Sequence, residues 1–167
     1  MKPFAVILVA FIVATRLVAA PPGENKGAEE MEKMKSLVGV WEGKDKDGNP
    51  VRVSYRLVSG GTSLMETIDH GEMKESMITV YHLDGDRMMM THYCSMGNQP
   101  RMRLTNATPT SLSFSFLDAT NLASKDAAHM HKLLITWTDK DHVNQEWTMR
   151  SEGKDSPPTV FKLQRKS

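Results

Sequence analysis

The sequence predicts an all-β fold: a single antiparallel up-and-down β-barrel of about ten strands, preceded by a short N-terminal helix. Three observations carry this. Hydrophobicity alternates with a period of two from Val38 to the C-terminus, with no helix-sized interruption. The strands are separated mostly by hairpin-length turns, which force antiparallel neighbours. An open sheet of that width would leave two bare edges and one uncovered apolar face, and closing it on itself removes both problems.

The N-terminus reads as a secretory signal peptide over residues 1–20. Lys2 gives a positive start, Phe4 to Ala14 an apolar stretch too short to span a bilayer, and Val18-Ala19-Ala20 a small-residue cleavage site. Secretion or a periplasmic location is the expectation. Residues 21–30 form a flexible lead-in, and the barrel domain occupies 31–167. Its one cysteine, Cys94, permits no intramolecular disulfide, so the core must supply the stability. Without Lys2 and Arg16 the chain holds 19 basic residues against 20 acidic ones, a balance with no electrostatic footprint for nucleic acid. The expected partner is a small apolar or amphipathic molecule, with no nucleic acid, no integral membrane segment after leader removal, and a monomeric state.

Ala28 to Ser36 forms the helix, with Met31 and Met34 sharing a face with Leu37 or Val38. Val51, Val53, Tyr55 and Leu57 then alternate with polar residues. Ser59-Gly60-Gly61 turns the chain into Thr62–His70. Met77–Leu83 and Asp86–Cys94 flank Asp84-Gly85, read as a two-residue hairpin turn. Arg101–Asn106, Leu112–Leu117, His131–Thr138, Val143–Arg150 and Thr159–Arg165 complete the strands. Asp118–Ala128 is the one long loop and a lid candidate.

Gly39-Val40-Trp41, at the start of the first strand, resembles the Gly-x-Trp motif of lipocalins and their calycin relatives. That resemblance implies a structural plug at the barrel's closed end, with Trp41 packed against Arg165 from the last strand and Gly39 beside them. A ligand would then enter from the other mouth. Leu37 to Gly43, Gly61 to Glu66 and Met77 to Met102 are further similar to bacterial secreted proteins of a lipocalin-like, DUF1579-type group, which has no established activity. The strand count also resembles nitrobindin-type haem barrels and fatty-acid-binding proteins. No histidine is placed as a proximal haem ligand, and no cofactor is predicted, with haem and copper left open.

Pairing across Asp84-Gly85 sets Tyr81 opposite Met88, Thr79 opposite Met90 and Met77 opposite His92. One face carries Met77, Thr79, Tyr81, Met88, Met90, His92 and Cys94, and the other Ile78, Val80, His82, Met89, Thr91 and Tyr93. Both are apolar enough to line a lumen. With the first face inward, Tyr81, Met88, Met90 and His92 line a pocket for a small apolar ligand; the alternative is a methionine-filled core. Glu66 is inward with Leu64 and Ile68, or outward if Met65 and Thr67 take the core. Arg101 either reaches a ligand carboxylate or sits on the solvated face. His92, His129 and His131 are weak metal candidates, and their spacing matches no metal motif. The favoured expectation is a small-ligand-binding barrel. The alternatives are a barrel isomerase or hydrolase using Glu66 and His92, metal-assisted or not, and a protein-interaction module.

Overall fold

The computed structural model describes residues 26–166, and the signal-peptide reading lies outside them. Helix α1 (Lys26–Lys35) precedes the sheet. Strands β1 (Gly39–Lys44), β2 (Pro50–Val58), β3 (Ser63–His70), β4 (Met77–Asp84) and β5 (Arg87–Tyr93) follow. Then come β6 (Gln99–Thr108), β7 (Ser111–Thr120), β8 (His129–Trp137), β9 (His142–Ser151), the two-residue β10 (Lys154–Asp155) and β11 (Thr159–Arg165).

Each strand from β1 to β9 pairs antiparallel with the next, and β11 closes the circle by lying between β9 and β1. Strand β10 only extends the end of β9. The result is a closed barrel of ten antiparallel strands. Helix α1 reaches the β4–β5 turn, where a Cβ on Gly27 would sit 2.2 Å from the carbonyl oxygen of Asp86, and Lys33 donates to Thr108 O in the β6–β7 turn at 2.7 Å. It therefore covers the end formed by those turns. The opposite end, the mouth, is rimmed by residues 45–49, 71–76, 94–98, 121–128 and 152–158.

Alternation decides what faces inward. Val51, Val53 and Tyr55 are buried, whereas Arg52 and Arg56 are exposed. Across β4 and β5 the inward set is Met77, Thr79, Tyr81, Met88, Met90 and His92. The β4–β5 pairing differs by two residues from the sequence expectation: the turn is Gly85-Asp86, Tyr81 faces Met90, and Thr79 faces His92. Gly85 takes the positive φ of the first turn position (64°), so Asp84 stays in the ladder opposite Arg87. A slip of two leaves every side chain on its face, which is why the faces are as expected. Strand β7 also runs on to Thr120, shortening the long loop to residues 121–128. The helix starts at Lys26, inside the expected lead-in.

At the helix end, the Arg165 guanidinium lies 4.2 Å over the Trp41 ring, and the two residues are Cα partners between β11 and β1. Arg165 also donates to Val38 O (3.0 Å) and Ser36 O (2.8 Å), and Trp41 Nε1 donates to Leu37 O (2.7 Å). These carbonyls lie just past the helix C-terminus, where a cation is favoured. One arginine thus ties the helix exit to the first and last strands. Gly39 beside them has φ +130°, and a Cβ there would stand 3.2 Å from an Arg165 nitrogen. Met31, Met34, Leu37 and Trp41 are buried beneath; Val38 faces out.

Trp41→Ala should destabilise the fold by about 3–5 kcal/mol, because it empties a fully buried indole site. Arg165→Met should cost about 1–2 kcal/mol, since it removes bonds to two carbonyls at a part-exposed site. Equilibrium urea denaturation of both variants measures the difference.

Candidate functional site

The register places Tyr55, Glu66, Thr79 and His92 as successive Cα partners across β2, β3, β4 and β5. All four are inward and buried, so they form one polar row on an otherwise apolar wall. Gln145 reaches this row from β9. Its Nε2 donates to the Tyr55 hydroxyl and to Glu66 Oε1, each at 2.5 Å, and its Oε1 accepts from Trp147 Nε1 at 3.0 Å. Tyr81, one step along β4, donates to Glu66 Oε2 at 3.0 Å. Burial pushes the Glu66 carboxyl above its usual range, while bonds from Tyr55, Gln145, Thr79 and Tyr81 pull against that shift. Burial likewise raises both tyrosines, with the Glu66 charge adding to the effect.

His92 ends the row. Its Nδ1 is 2.9 Å from Thr79 Oγ1, its ring packs 4.7 Å from that of Trp147, and its Nε2 is buried with no hydrogen-bond partner. Burial lowers its pKa from 6.5 to about 4, so the ring is neutral at pH 7. With the ring proton on Nδ1, Thr79 Oγ1 accepts Nδ1–H, and no buried N–H is left without an acceptor; the other tautomer would strand Nε2–H in the interior. His92 Nε2 is then a bare acceptor.

The other sequence candidates fall as follows. Met88 and Met90 are buried on the inward face. Arg101 is outside: Pro100 and Met102 take the inward phase of β6, and Arg101 forms a two-pronged pair with Asp118 on the surface. It does not reach the lumen, which corrects the carboxylate-binding expectation. His129 and His131 pair with each other (Nε2 to Nδ1, 3.2 Å) against Phe116, and His129 Nδ1 bonds Ala127 O at 2.8 Å. The described residues bring no three His, Cys, Asp or Glu side chains together as a metal-holding group. Gln145 and Trp147, which complete the polar row from the far wall, carry no local signal in the sequence, because their contacts cross the lumen.

Tyr81, Met90, Met102, Phe114 and Leu133 fill the interior. Concave spaces of about 520 and 560 Å³ lie outside it, and Glu66, Tyr81, His92 and Met90 line neither. The larger sits on the mouth rim between the β3–β4 and β5–β6 connections, lined by Met73, Tyr93 and Cys94 among others. Across the mouth, Asn98 Nδ2 donates to Ala128 O (2.9 Å), Asn121 Nδ2 to Gly97 O (2.6 Å) and Glu152 N to Asp126 O (2.9 Å). No described helix is long and apolar enough to cross a membrane.

No family model and no curated protein matches the sequence. Among solved structures, the chain is similar to a Nostoc punctiforme protein of unknown function from the DUF3598 family. The TM-score is 0.55 at 14% identity, covering 80% of this chain and 49% of that one. At that identity the likeness shows the barrel fold alone, and the chain spans about half of that protein's length.

Two predictions follow from the row. Between pH 6.5 and about 4 the unfolded chain protonates its histidine while folded His92 resists. The unfolded state therefore binds more protons in that window, and stability falls with pH by an amount on the order of 3 kcal/mol at pH 4. Glu66 acts in the opposite sense, because its raised pKa lets the folded state hold a proton longer as pH rises. His92→Phe should remove about 2 kcal/mol or more of the stability difference between pH 7 and pH 4.5, read by urea denaturation. Glu66→Leu should cost about 3 kcal/mol or more, since it strands the Tyr81 and Gln145 donors in the interior.

Proposed function

We propose that this chain is a lipocalin-like, secreted or periplasmic barrel that binds a small, mostly apolar molecule in the mouth-side half of its interior. The carrying observation is the buried, unpartnered Nε2 of His92 at the end of a polar row that is otherwise satisfied. An unmet buried acceptor costs about 1–3 kcal/mol, and a guest's donor offsets that cost. The surrounding Met77, Met90 and Met102 have flexible thioether side chains suited to repacking around a guest. The mouth-rim groove at Met73, Tyr93 and Cys94 gives an approach from the end opposite Trp41. The secretory assignment rests on Lys2, Phe4 to Ala14 and Val18-Ala19-Ala20; the DUF1579-type likeness rests on the short motifs around Gly39 and Gly61.

Binding is favoured over acid–base catalysis by the same histidine. A base whose pKa is about 4 is poorly matched to proton abstraction near neutrality.

Native mass spectrometry of the protein purified after expression with its leader tests this. The expected result is a small organic adduct on the wild type, released by denaturation and missing from a folded His92→Phe variant. Wild type that carries no adduct, and whose melting temperature no fraction of a lipid extract shifts, would overturn the proposal.

A further inference from the structure

Two buried side-chain polar atoms lack a partner among the described residues: His92 Nε2 and Asn98 Oδ1. They are neighbours by register. Thr91 pairs with Arg101, and the Cys94 N–H donates to Asn98 O (3.2 Å), so the same ladder continues past β5 with Cys94 opposite Asn98 and His92 diagonal to it. Diagonal neighbours in such a ladder stand about 7–8 Å apart at Cα, close enough for two side chains to meet one guest. Both are inward: Tyr93 between His92 and Cys94 points out, and Asn98 is 5% exposed.

Both orphan atoms are acceptors. The Asn98 amide nitrogen must face the Ala128 carbonyl, which leaves the oxygen free. With the His92 proton on Nδ1, facing Thr79 Oγ1, Nε2 is bare, and that tautomer leaves no buried N–H stranded. Arg101 is paired outside with Asp118, Arg150 and Lys132 with Asp155, and Arg103 is exposed on the outer face of β6. A carboxylate head would meet two lone pairs and no donor, and an ammonium would bring an unpaired charge into the interior.

We infer that His92 Nε2 and Asn98 Oδ1 form a two-acceptor anchor for a neutral –NH2 head, a primary carboxamide, whose apolar tail is admitted by repacking of the flexible Met77, Met90 and Met102 side chains that fill the mouth-side interior. This rests on the lumen-binding proposal. Cys94 lies between the two anchor residues and lines the mouth-rim groove.

The test compares decanamide, N,N-dimethyldecanamide and decanoate by calorimetric titration at pH 7.5. Decanamide should bind at least tenfold tighter than either of the others. Asn98→Leu and, independently, His92→Phe, each checked for a folded state by thermal unfolding, should bring decanamide to the level of its dimethyl analogue. Equal binding of all three compounds, tighter binding of decanoate, or an amide preference that survives both variants would overturn the anchor and leave lumen binding standing. Binding of none would overturn the lumen proposal too, leaving water as the partner of the two acceptors.

Discussion

A carboxyl group buried at the centre of a barrel must be hydrogen-bonded, and that requirement organises this molecule. Glu66 is fully buried and accepts from Tyr81 on β4 and Gln145 on β9, and Gln145 also donates to the Tyr55 hydroxyl on β2. Meeting them fixes the register of β2, β3 and β4, because Tyr55 and Thr79 must stand level with Glu66 and Tyr81 one inward position further along β4. A one-residue slip of β3 would turn Glu66 to solvent and bring Met65 inward, leaving Tyr81 and Gln145 without their acceptor. Gln145 must also span the lumen from β9, so the same group ties together opposite walls. Thr79 stands between Glu66 and His92 in the row and its Oγ1 faces His92 Nδ1, so the polar core extends from Glu66 toward the mouth.

The two barrel ends are built from different forces. At the helix end, Met31, Met34, Leu37 and Trp41 are all buried, and Arg165 bridges the helix exit to both terminal strands of the closed sheet. Burying four large apolar side chains contributes several kcal/mol, at about 1.5–3 kcal/mol each. The mouth is held chiefly by hydrogen bonds from the residue 121–128 loop to the β5–β6 and β9–β10 connections, and each such bond has a net worth of about 1 kcal/mol. Opening at the mouth therefore costs less than opening at the helix end.

What was legible in the sequence follows from the reach of each interaction. Period-two alternation is local, so the barrel, the division of the β4–β5 side chains into two faces and the last strand ending at Arg165 are readable, whereas which face is inward is not, because both are apolar. The Asp84-Gly85 turn was read one residue early, because either Asp-Gly or Gly-Asp fits a two-residue hairpin and only the ladder around Asp84 and Arg87 decides. Glu66 could not be assigned a face from its own strand, since Leu64 and Ile68 on one side and Met65 on the other are all apolar enough for a core. Its donors settle the matter, and Gln145 lies on a distant strand. Arg101 misled because a loop rich in amides precedes it; the inward phase of β6 belongs to Pro100 and Met102. Asn98 was visible only as a loop amide, and its unpaired oxygen appears once the β7–β8 loop is seen to take its nitrogen.

Everything proposed for the mouth depends on His92 being neutral, with its proton on Nδ1 and a bare acceptor at Nε2. Nitrogen-15 NMR of the histidine rings across a pH series tests this most directly. The expected result is the Nδ1–H tautomer for His92 at pH 7, with the ring neutral until the pH approaches about 4. An Nε2–H tautomer, or titration near the ordinary histidine value of 6.5, would contradict it.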